Sequence, residues 1–237
     1  MKKIKKLSSM LLAVALVAVL PLSASAKENE KKPFDYLALG DSLAAGITPF
    51  GQDGLGYPDY LKARFEQSQY SVHLTNLGVS GYTSTHLLLD VANNPTTKQV
   101  IRNSELITID IGANDLIGAL LTNPALLGAA VTNVKNNLNG TLQAIKLINP
   151  NANVYVMGYY NPLPHLPEQQ QATLLPFLNG LNDAIKADAA ANGYTFVPTE
   201  KIIAKKADQY LPNPQDIHLS EEGYQIVAKE FWKAIED

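Results

Sequence analysis

The sequence predicts an α/β domain, a mainly parallel five-stranded sheet covered by helices on both faces. Two observations predict it. Five short runs of apolar, β-favouring residues are separated by longer segments whose apolar positions recur at helical spacing, so strand and helix alternate along the chain. The runs are also continuously apolar, not apolar at every other position, which is what strands buried on both faces require.

Taken in order, the strand runs are DYLALG (35–40), SVHLTNLG (71–78), ELITIDIG (105–112), ANVYVMGY (152–159) and GYTFVP (193–198). Between them lie the helical segments 57–67, 85–92, 124–149 and 169–193. A last helix is predicted over 220–236, with Ser220 as its N-cap and Glu221 and Glu222 at the positive end of its dipole. Its apolar residues Tyr224, Val227, Ala228 and Phe231 share one face, with Trp232 beside them, so this helix is expected to dock on the sheet. From Phe34 onward no linker-like change of composition and no internal repeat interrupts the chain, and residues 34–237 read as one domain.

Residues 1–26 read as a bacterial secretory signal peptide: Lys2, Lys3, Lys5 and Lys6, then the apolar MLLAVALVAVLPL, then small residues ending at Ala26. That core is shorter than the ~20 residues of a membrane-spanning helix, so export and cleavage after Ala26 are expected, giving a secreted, extracellular protein with no stable membrane insertion. Residues 27–33, KENEKKP, are charged and aperiodic and read as a disordered leader. Cleavage removes four lysines and no acid, which takes the formal net charge from −3 to −7. That balance argues against nucleic acid as a partner. The chain has no cysteine, which excludes disulfides, thiolate nucleophiles and Cys-ligated zinc. No H-E-x-x-H or calcium-loop spacing occurs, and GQDGLG at 51–56 lacks dinucleotide-binding spacing, so neither a metal nor another cofactor is expected.

Open α/β sheets take their ligands beyond the carboxyl ends of the strands, and four loops there carry polar residues. The first has Gly40-Asp41-Ser42, where Ser42 taken by itself reads as a helix cap. The second, NLGVSGYTS (76–84), contains Gly81, and the third, DIGANDL (110–116), contains Asn114. The fourth, NPQDIHLSEEGY, precedes the last helix and contains His218. His73, His86 and His165 lie in a strand, at a helix start and in a proline-rich loop, where structural roles are expected.

In this order, GDSL, the glycine loop, GAND and DIHLS resemble the SGNH, or GDSL-type, hydrolase family over nearly the whole chain from Phe34. The resemblance implies a three-layer α/β/α sandwich of flavodoxin-like type. It also fits an absence: GDSLA has Ala44 where the G-x-S-x-G elbow of ordinary α/β-hydrolases needs its second glycine. By the family pattern Ser42 is the nucleophile, His218 its base, and the backbone N–H of Ser42, the backbone N–H of Gly81 and the Asn114 amide form the oxyanion hole. One position departs from the pattern. The family's acid sits three residues before the histidine, and here that residue is Gln215, while Asp216 stands two before. Either Asp216 reaches the imidazole, or a backbone carbonyl orients it and the enzyme runs as a Ser-His dyad; a carboxylate would also stabilise the imidazolium. Asp41 is read as shaping the turn and Asp115 as capping a helix.

The implied reaction is hydrolysis of a carboxylic ester through an acyl-enzyme, by a lipase or esterase acting on short- to medium-chain esters or lysophospholipids. Leu43, Ile47, Phe50, Leu116 and the following LIGALL are expected at an acyl-accommodating rim, with YYNPLPHLP as a lid or wall. A polysaccharide or cell-wall O-acetylesterase is the alternative enzyme, which a row of exposed aromatics would favour. A catalytically silent ligand-binding protein is the alternative from another class; it predicts loss of Ser42, Asn114 or His218, and all three are present.

Overall fold

The computed structural model describes residues 33–236. The signal peptide expected at 1–26, and the leader up to residue 32, lie outside the described residues. In chain order the elements are β1 (Phe34–Gly40), α1 (Ser42–Ala45), α2 (Tyr57–Gln67), β2 (Val72–Gly78), α3 (Ser84–Asn93), α4 (Pro95–Asn103), β3 (Leu106–Asp110) and α5 (Ala113–Thr122). A 3₁₀ turn at Pro124–Leu126 leads into α6 (Leu127–Ile148), β4 (Asn153–Met157), α7 (Glu168–Asn192), β5 (Thr195–Val197), α8 (Glu200–Ala204), α9 (Ala207–Tyr210) and α10 (Glu221–Glu236).

Each of the five apolar runs holds one strand, and all pairings are parallel in the order β2-β1-β3-β4-β5. The expected fold class is borne out. The helices α4 and α5 were not foreseen. α4 is mostly polar and is set by its start: Pro95 occupies its first turn while the Asn94 side chain accepts from the N–H groups of Thr96 and Thr97. α5 is apolar around much of its circumference, so periodicity gave it no signature.

Burial explains the continuous runs. β3 is buried throughout, and β1 is buried from Tyr36 to its end, because each has a strand on both sides and helices on both faces. One helical layer is α2 against α10, where the rings of Tyr57 and Phe231 stack with centroids 4.7 Å apart and Phe65 meets Trp232 edge-on at 5.0 Å. The other is α3, α6 and α7, which turn Leu87, Val134, Leu138, Leu142, Leu181 and Ile185 into the core. Each such side chain contributes roughly 1.5–3 kcal/mol through burial.

The strand order positions the site. From β1 the chain crosses to β2 on one side, then returns to β3 on the other, so the crevice of the sheet opens between the ends of β1 and β3. Gly40, the last residue of β1, is in register with Gly78 of β2 and with Asp110 of β3.

Candidate active site

Gly40 is a glycine because β1 ends against a carboxyl group. A Cβ there would lie 2.3 Å from Asp110 Oδ1. The chain then turns directly into α1. The Asp41 side chain accepts from the Leu43 N–H (3.0 Å), and Asp110 Oδ2 accepts from the N–H groups of Asp41 (3.2 Å) and Ala44 (3.3 Å). Ala45 N–H donates to Asp41 O, and Gly46 and Ile47 N–H both donate to Ser42 O. The N–H of Ser42 itself has no acceptor among the described residues. It is a donor left free at the tip of a turn whose other donors are occupied.

His218 faces this turn. Its Nε2 lies 2.8 Å from Ser42 Oγ, and its Nδ1 lies 2.7 Å from Asp216 Oδ1. The same Asp216 oxygen accepts the His218 backbone N–H at 2.8 Å, which is how an acid only two residues away reaches the ring. A proton on Nδ1, donated to the carboxylate, leaves Nε2 bare and able to accept from the serine hydroxyl. Gln215, at the family's acid position, is exposed, and its backbone N–H donates to Asn213 Oδ1. The loop is tied to two distant segments: Asn213 Nδ2 donates to Pro49 O (2.7 Å) and Tyr160 OH to Ile217 O (2.9 Å), while Tyr224 OH, in α10, donates to Ile47 O (2.6 Å) beside the Ser42 turn.

Gly81 lies in the loop after β2 at φ 81°, a conformation that favours glycine, and no atom lies within 4 Å of where a Cβ would sit. Its N–H has no acceptor among the described residues. Asn114 stands in the first turn of α5 and donates one amide hydrogen to Tyr82 O at 2.9 Å, tying the Gly81 loop to α5 and leaving the second hydrogen available. Asp115 holds a neighbouring helix, not its own: its carboxylate accepts from the N–H and Oγ of Ser84 at the start of α3.

Beneath the turn lies a pair of acids. Asp41 and Asp110 are both buried; Tyr159 OH donates to Asp41 Oδ2 and Tyr57 OH to Asp110 Oδ1, each at 2.7 Å. Burial pushes Asp110 well above the usual carboxylate range, with the charge of Asp41 adding to the rise, and burial raises Asp41 too. Two like charges this close cannot both ionise readily, so the pair retains a proton. Sequence reasoning missed Asp110. An acid closing an otherwise apolar strand run was the available signal.

Beside Ser42 opens a cavity of about 110 Å³ lined mostly by apolar side chains, among them Leu43, Leu116, Ile117, Leu120, Leu174 and Phe177. The YYNPLPHLP segment forms part of its wall through Tyr159, Tyr160, Pro162, Leu163 and Leu166. Ile47 and Phe50, expected at this rim, are elsewhere. Ile47 pairs with Asp53 in a small hairpin and Phe50 is exposed at its turn, because Gly46 directs the chain away from the cavity. Among the remaining histidines, His73 meets Asp35, His86 meets Thr83, and His165 Nε2 donates to Leu211 O. Among the described residues no His, Asp or Glu cluster is arranged to hold a metal, and no helix is long and apolar enough to cross a membrane.

No curated protein matches the chain. Solved structures do. A lipase from a goat rumen metagenome superposes with TM-score 0.74 at 23% identity, covering 85% of this chain and 97% of its own. A variant of an acetylxylan esterase from Geobacillus stearothermophilus gives 0.66 at 17%, covering 86% and 94%. A family 3 carbohydrate esterase from Clostridium thermocellum gives 0.64 at 23%, covering 87% and 96%. At these identities the likeness establishes the fold. The family model described as GDSL-like Lipase/Acylhydrolase matches residues 38–226, spanning every loop described above. The chain therefore belongs to the GDSL-like lipase/acylhydrolase family and is a carboxylic ester hydrolase.

Proposed function

We propose that this enzyme hydrolyses short- to medium-chain aliphatic esters by a Ser42–His218–Asp216 triad, and that it is secreted after loss of residues 1–26. The observation that carries the reading is the contact of His218 Nε2 with Ser42 Oγ at 2.8 Å beside an apolar cavity. Ser42 Oγ attacks the ester carbonyl carbon while its proton passes to Nε2. The charge formed on the carbonyl oxygen meets the free N–H groups of Ser42 and Gly81 and the second amide hydrogen of Asn114. The ester C–O bond then breaks, the imidazolium returns the proton to the departing alcohol, and water repeats the sequence to release the acid.

The cavity favours an acyl chain over an acetyl group. An apolar cavity of ~150 Å³ holds a benzene ring, so about 110 Å³ encloses roughly four carbons. Lysophospholipids fit the same reading if the acyl chain extends through the cavity mouth. The test is hydrolysis of p-nitrophenyl esters from acetate to decanoate, with chelator present, by wild type and Ser42→Ala. Serine-dependent turnover that peaks above acetate supports the proposal. Turnover surviving Ser42→Ala overturns the triad, preference for acetate with release of acetate from acetylated xylan returns the O-acetylesterase reading, and no turnover on any ester returns the silent binder.

A further inference from the structure

We propose that Asp110 is a positioning residue for the oxyanion site: its buried carboxyl holds the Ser42 turn so that the Ser42 N–H alone remains free to meet the substrate. This rests on the reading of Ser42 as nucleophile. Asp110 itself does not touch the reacting atoms.

The geometry is specific. The turn from Asp41 to Ile47 brings seven N–H groups together at the end of β1, and six have acceptors. Two of them, those of Asp41 and Ala44, converge on the single oxygen Asp110 Oδ2 from either side of Ser42. This fixes the two flanking peptides, and with them the direction of the N–H between. A short turn that kept any other donor free, or that let Ser42 N–H find an internal acceptor, would lose the oxyanion contact while keeping the serine.

Asp110 is in turn immobilised. Tyr57 OH donates to its Oδ1 at 2.7 Å, and the Tyr57 ring is stacked against Phe231 of α10. The register of β1 with β3 brings Gly40 against the carboxyl, where a Cβ would collide with it. The acid therefore has one pose. It transmits the positions of β3, α2 and α10 to the turn that carries the nucleophile.

The role predicts a selective defect. Asp110→Asn retains an oxygen for the two N–H groups, and Tyr57 OH can turn to Thr108 Oγ1, 3.4 Å away. Asp110→Ala leaves the Ala44 N–H without an acceptor and the Asp41 N–H with only the backbone carbonyl of residue 110, 3.2 Å away. Tyr57→Phe loosens the carboxyl without touching the turn. The experiment measures kcat and KM for p-nitrophenyl butyrate, and the affinity of an alkyl boronic acid that forms a tetrahedral adduct with Ser42, in folded preparations of all three. Asp110→Ala is expected to lower kcat by about 10²-fold, the scale of a lost oxyanion donor, and to weaken the boronic acid similarly, with KM within threefold. Tyr57→Phe should show the same pattern at about tenfold, and Asp110→Asn should stay within fivefold of wild type. If Asp110→Ala does not fold, Tyr57→Phe carries the test. Loss spread equally over KM and kcat, or wild-type boronic acid affinity in Tyr57→Phe, overturns the proposal. A Ser42→Ala variant that still turns over butyrate at the wild-type rate refutes the nucleophile instead, and so separates the two failures.

Discussion

One oxygen of Asp216 accepts both the backbone N–H and the ring Nδ1–H of His218, at 2.8 and 2.7 Å. The acid and the base of the proposed triad thus form a closed local unit of three residues, and the spacing that departs from the family pattern still delivers a carboxylate to the imidazole. Asp216→Ala is expected to lower kcat by about 10²–10⁴-fold, since the ring loses both its tautomer control and its counter-charge. Gln215→Ala, at an exposed side chain, should leave kcat within about twofold, as surface substitutions away from the site do. Steady-state kinetics on butyrate esters checks both, and a fall below tenfold for Asp216→Ala would favour the dyad.

Asn114→Ala removes a neutral amide donor from the proposed oxyanion site. A loss of about 10²–10³-fold in kcat with little change in KM is expected, because the hydrogen bond strengthens only as charge develops. The Tyr82 carbonyl also loses its partner, so thermal unfolding should be measured beside the kinetics. An effect confined to Tm with unchanged kcat would remove Asn114 from the oxyanion hole.

Acyl chain length should register as area buried in the cavity. Each methylene is worth about 0.8 kcal/mol, so kcat/KM should rise about fourfold per carbon from acetate to roughly pentanoate, whose four alkyl carbons fill the cavity, and then flatten. Leu120→Trp narrows the cavity and should depress hexanoate far more than acetate. A flat profile in wild type would place the acyl chain elsewhere.

The buried acid predicts a pH dependence of stability with a definite sign. The Asp110 carboxyl is raised by burial and by Asp41, so it holds its proton more tightly folded than unfolded. The stability it contributes is complete below the unfolded pKa of about 4 and is lost as pH rises toward its folded value. Asp110→Asn carries no such proton. Its stability relative to wild type, read from urea unfolding at a series of pH values, should therefore increase from about pH 4 upward. A relative decrease with rising pH would mean the acid is held as a stabilised carboxylate.

The strands were legible because their signal is local: an apolar run stays apolar whatever surrounds it. Ser42, Gly81, Asn114 and His218 were legible through the order of their motifs. Asp216 was legible as a residue but not as a contact, since whether it reaches the ring depends on a turn tied to Pro49 and Tyr160 in distant segments. Asp110 and Tyr57 were hidden for a related reason. Their meeting is set by strand register and by the stacking of α2 on α10, neither of which leaves a trace near either residue in sequence. Ile47 and Phe50 failed as rim residues because chain proximity to Ser42 does not decide which side of the turn a loop takes.

The stacking of Tyr57 on Phe231 and the hydrogen bond from Tyr224 to Ile47 join α10 to α2 and to the segment that follows the Ser42 turn. Ser42 follows the first strand and His218, the base of the proposed triad, lies in the loop before α10, 176 positions later. Without α10 the chain would keep Ser42 but lose the Tyr57–Phe231 stack and the Tyr224–Ile47 bond on which the proposed meeting of serine and base rests. Hydrolysis by the proposed triad therefore requires α10 to be docked. Trimming the chain within α10 should silence hydrolysis without any change at Ser42 or His218.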